Sequence, residues 1–307
     1  MITIRTAGRS PPRGSGWWAD VGAVLLANAI TAVFEYDFLQ RALVAAVLVG
    51  ITAPAVGIFL VQRRLALIGD GLGHVAVTGV ALGLVVHRTP VLIAVIVAVL
   101  GAVAIEIVRA ASDTTGEIAL AVLFYGGIAG GVVLVSKAPS GSRNLTQYLF
   151  GSITTTSNGD LVVFAVLAAV VLGVVLLLGP VLFAVSNDEE FARALGIPVI
   201  GINILLATLT ALTVVVSMRV VGVLLVSALM VVPVATAQLF AGSFRSTCLY
   251  AVVVAVVSAV VGIIVSYAAD LPSGGTIVLV TIGFFVLTLV ASSVMRVMRA
   301  GAAHGGK

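Results

Sequence analysis

Charge is scarce in this chain. Of 307 residues only 9% are Asp, Glu, Lys or Arg, while 61% are hydrophobic and the mean hydropathy is +1.27. A water-soluble domain carries charge on roughly a quarter of its residues, so water is not the main solvent here. Cysteine is nearly absent: Cys248 stands alone, which excludes a disulfide framework and a thiolate metal cluster. Histidine is also rare. His304 lies in a Gly-rich tail and His87 beside a loop, and only His74 belongs to a polar cluster. No G-x-x-x-x-G-K-[ST] phosphate loop occurs, so ATP is not bound in that way. The absence of H-E-x-x-H and G-x-S-x-G weakens a membrane protease or esterase, and the chain reads as a non-enzyme. The apolar–polar alternation of a membrane β-strand is missing too, as the run 161–178 (LVVFAVLAAVVLGVVLLL) illustrates.

What the chain does contain is long apolar runs. In hydrocarbon every backbone polar group must find its partner inside the protein, and without barrel strands this leaves helices. A run of about twenty apolar residues spans a bilayer. Candidate spans are residues 17–34, 39–62, 72–86, 90–108, 118–135, 161–184, 200–218, 222–240, 247–267 and 275–297. The fold class is therefore all-α, a polytopic transmembrane bundle of about ten spans between tails at 1–16 and 298–307. Pro54, Pro180 and Pro233 fall inside spans, where proline bends or breaks a helix. Glycines four apart, Gly79 with Gly83 and Gly127 with Gly131, read as sites of close helix packing.

The net charge is +4 and the pI near 9.6. The basic residues are scattered, which fits the loop bias of membrane proteins and not a nucleic-acid surface. If 17–34 crosses, eleven basic residues share one side: Arg5, Arg9, Arg13, Arg63, Arg64, Arg109, Arg193, Arg245, Arg296, Arg299 and Lys307. Five lie opposite: Arg41, Arg88, Lys137, Arg143 and Arg219. If it does not cross, the split is eight to eight. The positive-inside rule thus favours ten spans with both ends in the cytoplasm. Asp20 and Asn28 keep open the other reading, an interfacial helix and nine spans.

Two polar clusters interrupt the apolar text. In 63–83, RRLALIGDGLGHVAVTGVALG, Asp70 and His74 are four apart and share one helix face. Ionisable groups at a span boundary are costly unless a pathway uses them. A carboxylate oxygen with an imidazole nitrogen suits a divalent ion such as zinc or manganese, and two ligands bind loosely enough to release it. The other reading has Asp70 capping the helix and His74 hydrogen-bonded inside the bundle. In 186–199, SNDEEFARALGIPV, Asp188, Glu189 and Glu190 precede Phe191, Ala192, Ala194 and Leu195, and Gly196 and Pro198 close the segment. An acidic start and a Gly-x-Pro end spell one short helix, either a docking knob or an ordinary connection. Elsewhere, Glu106 is placed to pair with Arg109, and Arg219 sits in the tight turn MRVVG.

At GDGLGHVAVTGVALG the chain resembles the inner-membrane permease subunits of zinc and manganese ABC importers, which are type II importer permeases. FLQRALVAAVLVG looks like that family's opening, EEFARALGIPV like its coupling segment, and MRVVGVLLVSALMVVPVATAQLFA like its late signature. The resemblance implies a homodimeric or paired permease, cytoplasmic ABC ATPase subunits and an external metal-binding protein. It assigns Asp70 and His74 to the ion path, and Asp188, Glu189, Glu190, Phe191, Ala192, Ala194, Leu195 and Gly196 to the ATPase contact. It implies no permanently bound cofactor, only the transported metal, and a place in the cytoplasmic (inner) membrane. Manganese-type members often read H-A-V-L-P-G where residues 75–79 are VAVTG, a departure that points towards zinc. The alternatives are a permease for manganese, iron or a metal chelate, and, from another class, a proton-coupled secondary transporter. The latter usually carries an internal repeat, and no convincing one is found.

Overall fold

The computed structural model describes residues 31–32, 35–111, 116–137, 147–152 and 157–304. The segment 17–34 therefore lies almost wholly outside the described residues, as does the tail 1–16. The described helices are α1 (Asp37–Gln62), α2 (Ile68–Val85), α3 (Pro90–Ala111), α4 (Gly116–Val135), α5 (Asn158–Asn187), α6 (Glu189–Ala194), α7 (Val199–Ser217), α8 (Val223–Gln238), α9 (Phe244–Ala269) and α10 (Ser273–His304). Eight of them are long and apolar enough to cross a membrane, and the shorter α8 is apolar as well. Among the described residues there is no strand. The last helix runs on through His304, so residues expected as a tail after Val297 extend α10.

Local chemistry sets several helix ends. Ser157 and Asp160 form a capping box at α5, with Asp160 N–H donating to Ser157 Oγ at 3.2 Å and Ser157 N–H to Asp160 Oδ2 at 3.1 Å. Ser243 and Ser246 do the same for α9. Such caps satisfy donors that a helix start leaves bare. Pro54, Pro180 and Pro233 all lie inside their helices.

Four helices, α1, α2, α7 and α8, form the interior, and the others pack around them. α2 lies between α3 and α4 and also touches α7 and α8; α1 packs on α5, α8 and α9. Small residues allow this closeness. A β-carbon built on Gly79 would sit 2.6 Å from Ala94 Cα, and one on Gly83 would sit 2.7 Å from Pro90 Cα, so α2 and α3 meet backbone to backbone. Gly57 of α1 leaves no room for a β-carbon beside the Met230 carbonyl of α8. In lipid, where helix association lacks a strong hydrophobic term, such dispersion contact is a main source of cohesion.

Candidate functional site

Asp70 is the third residue of α2. The N-cap is Leu67 and no side chain caps this start, so Asp70 is not the capping residue that one sequence reading allowed. Its carboxylate Oδ1 instead accepts a hydrogen bond from Ser227 Oγ at 2.6 Å, across 157 residues of chain. Ser227 is buried on α8. Among the described residues Oδ2 has no hydrogen-bond partner. The hydroxyl thus engages one carboxylate oxygen and leaves the lone pairs of the other unused among the described residues.

His74 follows one turn later, about 6 Å further along the helix. Its ring meets the edge of Phe124 on α4, with centroids 4.4 Å apart and planes at 75°. Neither ring nitrogen has a hydrogen-bond partner among the described residues. The α4 backbone holds this stretch of α2 tightly. A β-carbon on Gly127 would lie 2.8 Å from the His74 carbonyl carbon. Thr78 Oγ1 donates to the Gly127 carbonyl at 2.6 Å. The pair is thus a half-buried carboxylate and imidazole on one face of an interior helix, each with coordinating capacity to spare. Among the described residues no cluster of three His, Cys, Asp or Glu side chains exists to hold a metal.

Sequence reasoning did not single out Ser227 or Phe124. Ser227 carried a signal, as a lone hydroxyl in the apolar stretch VLLVSALM, but its partner could not be read from it.

At the Arg63 end of the bundle, α6 forms a separate small structure. Asp188 caps it by accepting from Phe191 N–H at 2.9 Å. Gly196, at φ +79, lets the chain reverse so that Ile197 N–H reaches the Ala192 carbonyl at 3.1 Å. A left-handed glycine in this place is the common helix stop. Ala192 is fully buried against Val185 and Val199 and anchors the helix to the bundle, while Phe191, Ala194 and Leu195 face outwards. Glu189 turns back to pair with Arg63, whose guanidinium also donates to Asn203 Oδ1 at 2.8 Å. Arg109 donates to Glu106 at 2.6 Å nearby. Burial first, and then the charge of Arg109, push the Arg63 guanidinium down to about 10, with Glu106 opposing, so it stays charged at neutral pH.

At the opposite end, Arg219 pairs with Asp160, donates to Tyr148 Oη at 3.3 Å and lies 5.6 Å from that ring's centre. Three chain segments meet there. Ser152 N–H donates to the Arg219 carbonyl at 3.0 Å, and Ser273 Oγ to the Val220 carbonyl at 2.9 Å. Gly151 (φ +75), Gly222 (φ +84) and Gly274 leave no space for a methyl group between the backbones. Arg219 is thus an anchor of the α7–α8 turn.

The sequence profile of the ABC 3 transport family matches residues 35–292. This chain belongs to the ABC 3 transport family. The chain is 34% identical over 260 residues to the manganese transport system membrane protein MntC of Halalkalibacterium halodurans, covering 85% of this chain and 89% of that one. Over 254 residues it is 28% identical to the high-affinity zinc uptake system membrane protein ZnuB of Haemophilus influenzae, covering 83% and 97%. Among solved structures it is similar to a chain of PsaBC from Streptococcus pneumoniae in complex with a Fab. The TM-score is 0.78 and the identity 31%, over 86% of this chain and 95% of that one. As an ABC 3 transport family member the chain is a multi-pass membrane permease for metal ions. Relatives named for manganese and for zinc both align over most of its length, so the VAVTG departure does not choose the metal.

Proposed function

We propose that this chain is the membrane subunit of an ABC importer that carries a free divalent transition-metal ion, manganese or zinc, past Asp70 and His74. The observation that carries the reading is the pair itself: a carboxylate oxygen and an imidazole, one turn apart on an interior helix, with no partner among the described residues consuming their remaining lone pairs. Borderline ions of this group accept mixed oxygen and nitrogen ligands. A second copy of the chain completes the ligand set across a two-fold axis. An external metal-binding protein delivers the ion at the Arg219 end. Cytoplasmic ATPase subunits dock on the outward face of α6, made by Phe191, Ala194 and Leu195, and drive the switch of access.

The test is reconstitution in proteoliposomes with a partner ABC ATPase and an external metal-binding protein. Manganese and zinc uptake should require ATP and should be lost in Asp70→Ala and in His74→Ala, while both variants still assemble. Gradient-driven uptake by the chain alone would refute the importer reading. Wild-type uptake by either variant at limiting metal would refute the assigned path.

A further inference from the structure

We infer that Arg63 is the positioning residue that ties α6 to the ion path. The inference rests on α6 being the ATPase dock. Three elements converge on this one guanidinium. One nitrogen pairs with Glu189, the first residue of α6, and the other donates to Asn203 Oδ1, near the start of α7, at 2.8 Å. Asn203 Nδ2 closes the triangle by donating to Glu189 Oε1 at 3.1 Å. Beside it Gln62 Nε2 donates to Asn187 Oδ1 at 3.3 Å, a second tie between the end of α1 and the end of α5.

Arg63 is also the C-cap of α1, its own N–H reaching the Phe59 carbonyl at 3.2 Å. The chain then reverses through Arg64, a non-glycine residue at φ +59, and Leu65 N–H returns to the Leu60 carbonyl at 2.9 Å. α2 starts at Ile68, and Asp70 is its third residue. A short, hydrogen-bonded turn therefore separates the clasp from the Asp70 carboxylate. A pull on Glu189 reaches that turn through one charge-assisted hydrogen bond to Arg63, which Asn203 braces from α7. A recess of about 340 Å³ borders the clasp, lined in part by Arg64, Leu65 and Ser186.

Burial separates this role from docking. The Arg63 side chain is 6% exposed and Glu189 38% exposed, so Arg63 is shielded from an ATPase seated on α6. Loss of coupling on changing Arg63 thus has to arise inside the permease. A merely structural ion pair makes a different forecast. Removing one partner strands the other charge, and removing both relieves it.

The experiment uses the reconstituted complex with Arg63→Met, Glu189→Met and the double variant. It measures ATP hydrolysis, manganese and zinc taken up per ATP, and thermal unfolding. An Ala194→Arg arm checks the dock independently: if that variant couples like wild type, the reading of α6 fails, whatever Arg63 does. The expected result is that the double variant unfolds like wild type and hydrolyses ATP, yet takes up at least about fivefold less metal per ATP, with the single variants no better coupled. Arg63 has no transmitting role if the double variant recovers uptake per ATP to within about twofold of wild type, or if Arg63→Met alone couples normally.

Discussion

Gly127 and Gly126 are neighbours on α4 with opposite surroundings, which makes a matched pair of substitutions. In Gly127→Ala the new β-carbon would lie 2.8 Å from both the His74 carbonyl carbon and Val75 N, and 3.0 Å from His74 Cβ. Comfortable contact begins near 3.4 Å, so α2 and α4 have to separate by about 0.6 Å or more at His74. The atoms met are mostly backbone and cannot swing aside. Overpacking of this kind costs about 1–3 kcal/mol, and the better helix propensity of alanine offsets about 0.5–1 kcal/mol of it. A net loss of roughly 0–2.5 kcal/mol follows, together with a shift of the His74 backbone comparable to the tolerance of a working site. Gly126→Ala meets nothing within 4 Å and should be neutral or slightly stabilising. Thermal unfolding in nanodiscs and radioactive manganese or zinc uptake at limiting metal read the two consequences. Uptake should fall about tenfold or more in Gly127→Ala and stay near wild type in Gly126→Ala. Equal uptake and equal unfolding of the two variants would falsify the view that α4 sets the position of His74.

Three further outcomes follow from the same geometry. Ser227→Ala removes the 2.6 Å hydrogen bond to Asp70 and should reduce metal affinity, read as uptake at limiting metal, by about 10–100-fold; unchanged uptake would show that the carboxylate orients without it. Ala194→Arg places a long charged side chain on the exposed face of α6 and should separate ATP hydrolysis from uptake while insertion stays normal, which co-purification and hydrolysis assays measure. In a Cys248→Ser background, Lys137→Cys should react with an impermeant thiol reagent added outside intact cells and Arg245→Cys should not, since both positions are exposed and the charge bias puts them on opposite sides. The reverse pattern would invert the topology.

Helix by helix, much of this bundle is legible in the residues. An apolar run such as 161–178 has to become a helix in lipid because its backbone groups find partners only within the run itself. The same locality made α6 readable: Asp188 caps three residues ahead, and Gly196 stops the helix where it leaves it. The four-residue spacing of Asp70 and His74 put them on one face before any partner was known. Local signals misjudged boundaries: the expected span started at Leu72, whereas α2 starts at Ile68 and takes Asp70 into the helix, and α10 runs on past Val297 to His304.

Partners distant along the chain were a different matter. Asp70 could be read locally as a helix cap or as a pathway residue; the bundle shows that it does not cap α2 and that its partner Ser227 arrives from 157 residues away on α8. Ala192, Ala194 and Leu195 looked alike as small or apolar residues of one short helix. The bundle turned Ala192 inwards against Val185 and Val199 and left the other two outside. Arg63 had the appearance of one more positive-inside charge until Glu189 and Asn203 closed on it. The physical reason is common to all three. Backbone hydrogen bonding in hydrocarbon is settled within a segment, so composition and spacing determine that these helices form. Which faces meet is settled by steric fit between segments, through glycines that admit a neighbour's backbone and single polar side chains that find each other across it, and that fit exists only in the assembled bundle.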